Sequence, residues 1–196
     1  NQALSVAPLA AKKNQKLQLR QRMREAKDYA SWSAAAKALD EHTGRARWKD
    51  RDETNLYDHA TLRARVDQLR ALRESGDSHG LVFAVEEGVH GNLGGMGKPV
   101  LHSKARFGTK RLITDYVDAV ADALLFIEAL PDSEMSHAAK LDLFRRASHC
   151  YGHSALMFSA GGTLMYFHYG VAKCLLEQGV LPRVLSGSSA GALMVA

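Results

Sequence analysis

The sequence predicts an α/β protein in which a mostly helical N-terminal region precedes the first strands of an α/β domain. Over much of residues 31 to 150, apolar side chains recur at helical spacing. Residues 151 to 196 instead contain two short apolar runs, each followed by a glycine-containing turn, with a helical segment between them. That order is typical of two parallel strands joined by a helix. The 196 residues, 46% of them apolar, suffice for one domain and part of another.

The first segment, residues 1 to 30, is predicted to be a basic N-terminal arm. Between positions 12 and 27 it carries a single acid, Glu25, and seven basic residues, which are Lys12, Lys13, Lys16, Arg20, Arg22, Arg24 and Lys27. A basic helix that also carries Leu17, Leu19 and Met23 could lie on an anionic membrane surface. The alternative, a solvated helical arm, is the more common structure for such a segment. No nucleic-acid-binding motif accompanies the charge, so nucleic acid is not an expected partner.

Residues 31 to 150 are predicted to form a helical domain. Ser31 or Ser33 can cap its first helix, which runs toward His42. A second helix ends near Gly76. Its apolar face consists of Leu62, Val66, Leu69 and Leu72.

The rest of this region contains a glycine cluster and two further helices. Five glycines lie between Gly88 and Gly97, which we interpret as a flexible connection or a loop on the substrate side. A long helix is expected from about Thr109 to Leu130, where Pro131 stops it. It is striped by Tyr116, Val120, Leu124 and Ile127. A last helix, roughly Glu134 to His149, leads to the first strand.

The second apolar run of the C-terminal segment ends in a pattern that suggests a catalytic serine. Residues 180 to 185 lead into Gly187-Ser188-Ser189-Ala190-Gly191, a G-x-S-x-G pentapeptide at the start of a helix. This is the context of a nucleophile elbow, in which a sharp strand-to-helix turn exposes a serine hydroxyl. Glycines flank the serine because side chains there would clash with the tight turn. Ser188 is the competing candidate, but only Ser189 has a glycine two residues away on both sides.

A second glycine turn follows the first apolar run, residues 155 to 159. Gly161 and Gly162 open a helix that extends from Leu164 to Gln178. Because parallel strands end at the same edge of a sheet, these glycines can come near Ser189. Their backbone N–H groups could then stabilise the oxyanion of an acyl-transfer reaction. Alternatively, the glycines only allow close packing or bind a phosphate.

No metal or cofactor is expected. His149, Cys150 and His153 have a spacing compatible with a metal site, but Gly152 breaks the helix between them and no carboxylate is near in sequence. His168, on the apolar face of its helix with Leu164, Val171 and Leu175, is interpreted as a hydrogen-bonded core histidine rather than a base.

These residues carry a family resemblance. Residues 156–164, 167–171 and 175–191 resemble the opening of a patatin-like phospholipase domain, most closely in the branch that includes triacylglycerol lipases of lipid droplets. Members of that branch have a helical domain before the patatin domain, which residues 31 to 150 resemble as well. The matching pieces there are Trp32, Ala36, Leu39-Asp40, Trp48, residues 90–94 and residues 108–113.

The resemblance implies a three-layer α/β/α catalytic domain, begun at residue 151 and incomplete in this chain. It also implies a Ser-Asp dyad with Ser189 as nucleophile, Gly187 and Gly191 as elbow glycines, and the Gly161 and Gly162 backbone as the oxyanion loop. The family's aspartate lies in a downstream Asp-Gly-Gly or Asp-Gly-Ala motif that no residue here matches. We therefore expect that the chain is part of a longer protein that contains this aspartate. Without the aspartate, the 196 residues are expected to be inactive.

Two classes of function follow from this reading. The first is a serine-dependent hydrolase of glycerolipid esters, of the triacylglycerol lipase or phospholipase type. The second is a non-enzymatic lipid-surface or scaffolding module with an incomplete patatin domain.

No stretch approaches about 18 apolar residues, so no membrane span is expected. The expected location is cytoplasmic or peripheral on a membrane or lipid-droplet surface.

Overall fold

A computed structural model of the chain describes residues 6–152 and 154–196. They form two compact units, one ending at Phe144 and the other comprising Arg145–Ala196. The predicted fold class is confirmed, because a helical region precedes two parallel strands joined by a helix. The helices are α1 (Val6–Glu25), α2 (Tyr29–His42), α3 (Arg45–Asp50), α4 (His59–Glu74), α5 (Ser78–Glu86), α6 (Pro99–Ser103), α7 (Arg111–Glu128), α8 (His137–Tyr151) and α9 (Met165–Glu177). The strands are β1 (Ala155–Phe158) and β2 (Val184–Gly187).

Helix α1 forms an antiparallel hairpin with α2. Leu19 is buried between them, and the ring of His42 donates from Nε2 to the carbonyl oxygen of Lys12 over 2.9 Å. Residues 6–25 of the predicted basic arm thus form a helix packed along α2, whereas residues 1–5 lie outside the described residues.

The predicted N-cap of α2 is wrong. Asp28 caps this helix, with its carboxylate accepting from the backbone N–H of Ser31 over 2.7 Å. Ser31 and Ser33 lie inside α2, where each hydroxyl donates to a carbonyl of the preceding turn. A carboxylate beside the positive end of a helix dipole is at least as good a cap as a serine hydroxyl, so the helix begins earlier than the serines suggest.

The core of the first unit lies between α4 and α7. The predicted apolar faces meet here, and their fully buried members are Leu62, Val66, Leu69, Tyr116 and Ile127. Leu72 and Leu124 of the same faces are half-buried. Each such side chain contributes about 1.5–3 kcal/mol by leaving water. Ion pairs flank this packing, Arg73 with Asp122 at 2.9 Å and Arg70 with Asp115 at 3.5 Å.

The glycine cluster of residues 88 to 97 is tied to this core. The hydroxyl of Tyr116 accepts from the backbone N–H of His90 over 3.2 Å, and the carbonyl of Gly94 accepts from the N–H of Asp58 over 2.8 Å. Gly94 has φ 58°, and a Cβ there would lie 2.8 Å from the carbonyl oxygen of Asp58. Only glycine fits this close approach. The expected flexible connection is therefore a loop with specific anchors.

Asp40 and Lys110 are charged residues of the first unit that are at most 1% exposed. The carboxylate of Asp40 accepts from the backbone N–H groups of Arg106 and Phe107 at 2.9 and 3.0 Å, and from Lys49 Nζ at 3.3 Å. Lys110 donates to the carbonyls of Trp48, at 2.7 Å, and Arg51. Burial lowers the pKa of Lys110, and the charge of nearby Lys104 adds to the effect. These bonds fasten the loop after α6 to α2 and α3.

In the second unit β1 and β2 pair in parallel, with Ala155 opposite Val184 and Phe158 opposite Gly187. Helix α9 joins them, and its length agrees with the prediction. Its predicted face is only partly correct, because Leu164 and Val171 are 60% and 49% exposed. Within the described residues, α9 packs mainly against the 3₁₀ turns of residues 162–164 and 189–194, and none of its own residues is fully buried.

Candidate active site

Ser189 lies in the turn that follows β2 in the second unit. Strand β2 ends at Gly187, Ser188 is extended (φ −122°, ψ 134°), and Ser189 opens a 3₁₀ turn that extends to Met194. The φ of Ser189 is 52°, and among the described residues it is the one non-glycine residue with a positive φ. This conformation costs an L-residue about 1–2 kcal/mol. The backbone thus holds a strained, exposed serine between a strand and a helical turn.

The glycines on either side of Ser189 are required by close backbone contacts. A Cβ on Gly187 would lie 2.6 Å from the amide nitrogen of Ala192, and one on Gly191 would lie 2.8 Å from the Cβ of Phe158. Neither distance is compatible with van der Waals contact. The spacing of the pentapeptide therefore reflects a turn folded onto itself and onto the end of β1.

Backbone hydrogen bonds fix this turn to the sheet. The N–H of Ser188 donates to the carbonyl of Phe158 over 3.1 Å, and the N–H of Gly191 donates to the carbonyl of Ser188 over 2.9 Å. Phe158, at the end of β1, is 5% exposed. Ser189 therefore lies at the carboxyl-terminal edge of the parallel strands, where α/β folds place their ligands.

The second glycine turn lies beside the first. Gly162 opens a 3₁₀ turn that ends at Leu164, with φ 53° in the left-handed region, while Gly161 is extended at φ −178°. This turn and the turn that begins at Ser189 are neighbours, with Cα atoms within 8 Å. Among the described residues, the N–H groups of Gly161 and Gly162 donate to no backbone carbonyl. They remain available as donors to a ligand.

His168 connects α9 to this glycine turn. Its ring lies 5.1 Å from the ring of Phe158, and its Nε2 is 3.0 Å from the carbonyl oxygen of Ser159. Because a carbonyl only accepts, Nε2 carries the proton. His168 is thus hydrogen-bonded, as expected, but it is half-buried rather than part of a closed core. Its bond to the turn between β1 and Gly161 was not apparent from the sequence.

Several candidate groups are not joined to Ser189. Within the described part of the chain, no hydrogen bond connects its hydroxyl to a histidine or a carboxylate.

Among the described residues, no group of three or more His, Cys, Asp or Glu residues is arranged to hold a metal ion. His153, the third residue of the possible metal site, lies outside the described residues. The same described ranges contain no helix of the length and apolarity needed to cross a bilayer.

Comparison with known protein families identifies both parts of the chain. Residues 9–149 match the family model described as Domain of unknown function (DUF3336). Residues 156–196, which contain β1, α9, β2 and the Ser189 turn, match the model described as Patatin-like phospholipase. The first match also includes most of α1.

Curated relatives resemble the chain over nearly its whole length. It is 37% identical, over 93% of its residues, to a patatin-like phospholipase domain-containing protein of Coccidioides immitis, of which it covers 26%. It is 36% identical over 91% of its residues to such a protein of Aspergillus niger, again covering 26%. It is 37% identical over 90% of its residues to the triacylglycerol lipase SDP1L of Arabidopsis thaliana, covering 21%. The chain thus spans about a quarter of the length of these relatives. No solved structure matches it.

Proposed function

The chain belongs to the family of patatin-like phospholipases that carry an N-terminal DUF3336 domain, and from this premise we propose that Ser189 is the nucleophile of a serine-dependent lipid acyl hydrolase. The observation that carries the proposal is the positive φ of Ser189 between two glycines that tolerate no Cβ. A strained backbone of this kind persists only where the surrounding structure holds it, and it is characteristic of nucleophile elbows.

The proposed reaction uses the two neighbouring turns. The Ser189 hydroxyl oxygen attacks the ester carbonyl, and the N–H groups of Gly161 and Gly162 stabilise the oxyanion that forms. The alcohol then leaves, and water releases the fatty acid from the serine ester. The base that takes the serine proton is proposed to be an aspartate of an Asp-Gly-Gly or Asp-Gly-Ala motif beyond Ala196. Since a hydroxyl without a base is a weak nucleophile, we expect the 196-residue chain alone to be inactive.

The proposed substrate is the acyl ester of a glycerolipid. One relative is named a triacylglycerol lipase, and others are named for a patatin-like phospholipase domain. Triacylglycerols and glycerophospholipids both contain this ester. Such lipids lie at an interface with water, so we also propose that the protein associates peripherally with a membrane or lipid-droplet surface. The basic surface of α1 is suited to that contact.

Covalent labelling with a fluorophosphonate tests the nucleophile. The complete protein should be labelled on Ser189 and should hydrolyse a glycerolipid ester, and Ser189→Ala should lose both properties. The matched control is Ser188→Ala, which removes the neighbouring hydroxyl and keeps the extended backbone of that residue. It should retain labelling and most of the turnover.

Two results would count against the assignment. Labelling that persists in Ser189→Ala but is lost in Ser188→Ala would move the nucleophile by one residue. A complete protein that binds lipid surfaces but is neither labelled nor active would instead support the non-enzymatic lipid-surface module.

A further inference from the structure

A cleft of about 300 Å³ in the helical unit concentrates arginine side chains. It lies between the α1–α2 hairpin and the loop that follows α6. Its lining consists of Arg20, Met23, Arg24, Trp32, Leu39 and Arg106. Three of the lining residues are arginines and none is acidic. The sequence separates Arg106 from the other two by more than eighty positions, so only the fold brings them together.

Unlike the arginines of α4, these three have no carboxylate partner among the described residues. Arg63, Arg70 and Arg73 on α4 each form an ion pair with an aspartate. Within the described residues, Arg20, Arg24 and Arg106 form none, and all three are exposed. Like charges that line one cleft raise the local positive potential, and an anion bound among them lowers their mutual repulsion. The arrangement therefore favours a bound anion.

The cleft is held in shape by buried contacts. The fully buried carboxylate of Asp40 accepts the backbone N–H of Arg106 at 2.9 Å, which fixes the position of that residue beside α2. Arg20 and Arg24 are one helical turn apart and share a face of α1. Leu39, 2% exposed, forms part of the floor. Little conformational entropy of the backbone is lost when such a site binds its ligand.

Apolar and aromatic groups adjoin the arginines. Trp32 stacks on Tyr29, with ring centroids 5.9 Å apart, and Tyr29 is 72% exposed. Leu17, 66% exposed, lies on the same face of α1 as Arg20 and Arg24. Exposed aromatic rings next to basic side chains are typical of surfaces that contact the headgroup region of a membrane.

We propose that this cleft binds the phosphate of an anionic phospholipid headgroup and so docks the helical unit on a membrane surface. Guanidinium groups bind phosphate oxygens in a bidentate manner. Three of them suit a phosphomonoester, which has three free oxygens, better than a phosphodiester, which has two. The inference rests on the proposed lipid substrate only in choosing a lipid phosphate over a soluble one.

Vesicle binding by the 196-residue chain tests the proposal independently of catalysis. One vesicle contains phosphatidylcholine with phosphatidic acid as one lipid in three. A second contains enough phosphatidylserine, a phosphodiester, to give the same zeta potential, and a third is phosphatidylcholine alone. We expect binding to be strongest with phosphatidic acid. Arg106→Gln should weaken that binding about tenfold, the effect of losing a charge-assisted hydrogen bond, and should change binding to phosphatidylserine far less.

A charge-matched pair of variants separates the cleft from the general charge of α1. Arg20→Gln/Arg24→Gln removes two charges from the cleft, whereas Arg22→Gln/Lys27→Gln removes two from a different pocket along the same hairpin. The first pair should weaken binding to phosphatidic acid at least about tenfold more than the second. All these side chains are exposed. Unchanged thermal unfolding of the variants will show that they remain folded.

Tryptophan fluorescence identifies the site and the source of the phosphate. Phosphatidic acid vesicles should change the emission of the chain, and Trp32→Phe, which leaves Trp48, should abolish the change. Inorganic phosphate should produce the same change in emission only at far higher concentration.

The proposal is overturned if the two charge-matched pairs of variants bind phosphatidic acid alike and Arg106→Gln binds it as the wild type does. That result would indicate non-specific attraction by the net charge of the helix. The proposal is equally overturned if phosphatidic acid binds no better than phosphatidylserine, or if inorganic phosphate competes as strongly as the lipid.

Discussion

The two units of the chain bury their apolar side chains to different extents. In the helical unit Leu62 and Tyr116 are fully buried between α4 and α7. In the unit that carries Ser189, the side chains of Met157, Phe167 and Leu176 are 75%, 72% and 66% exposed. The first unit therefore gains much of its stability from a core of its own. Within the described residues, the second gains far less from burial.

The second unit is shaped instead by its backbone. Parallel pairing of β1 with β2, the close approach of Gly191 to Phe158 and the positive φ of Ser189 determine its site. The comparison indicates that changes in side-chain volume will affect mainly the first unit. Changes in backbone conformation will affect mainly the second.

Shortening a core side chain should give the largest effect. Leu62→Ala in α4 is expected to lower the free energy of unfolding of the helical unit by about 2–5 kcal/mol, because it leaves a cavity. Urea unfolding followed by tryptophan fluorescence measures this, since both tryptophans, Trp32 and Trp48, lie in that unit.

Two exposed positions serve as controls for this prediction. Leu125→Ala on α7, where the side chain is 65% exposed, should change the stability of the same unit by less than about 0.5 kcal/mol. Phe167→Ala in the second unit should change the urea transition followed by circular dichroism equally little. If Phe167→Ala were as costly as Leu62→Ala, the contrast between the two units would be wrong.

Replacing a glycine of the oxyanion turn should affect activity more than stability. Gly161→Leu or Gly162→Leu in the complete protein is expected to reduce turnover about 10²-fold, because the N–H donors are displaced. A side chain on Gly162 meets no atom within 4 Å, so its effect would come from the positive φ rather than from a clash. Steady-state kinetics with a glycerolipid ester measure the loss, and vesicle binding should be retained.

Gly170→Ala in α9 is the matched control, since a Cβ there also meets nothing within 4 Å and the backbone is helical. It should leave turnover within about twofold, because alanine favours the helix. Wild-type turnover in both Gly161→Leu and Gly162→Leu would show that this turn serves packing alone.

The smallest expected effect is a pH dependence in the helical unit. Burial raises the pKa of Tyr57 from 10.0 to about 12, and the charge of Asp52 adds to the effect. Above pH 10 the unfolded chain loses this proton before the folded chain does, so folding stability should fall as the pH rises from 10 to 12. Below that window this group contributes no pH dependence.

Tyr57→Phe isolates this contribution. No partner for the buried hydroxyl is present in the described residues, so its removal should cost little stability at neutral pH. Urea midpoints measured across the window should fall less steeply in the variant than in the wild type. Identical slopes would show that other groups cause the alkaline loss of stability.

The long helices of the first unit could be predicted from their apolar spacing alone. Helices α4 and α7 have the buried faces that this spacing indicates. The apolar spacing does not indicate helices α3, α5 and α6, because each has nine residues or fewer, too few to show a clear helical period. Their stability comes from neighbouring elements rather than from their own sequence.

The turn around Ser189 and the order of strand, turn and helix could be predicted from the residues alone, because both arise from local backbone sterics. The sequence also carried the family resemblance, through motifs that are contiguous in the chain. The contacts between groups that are distant in the chain could not be predicted in this way. Asp40 binds the loop of Arg106, His168 binds the carbonyl of Ser159, and three arginines surround one cleft. Such contacts depend on how folded elements pack, and no local propensity specifies them.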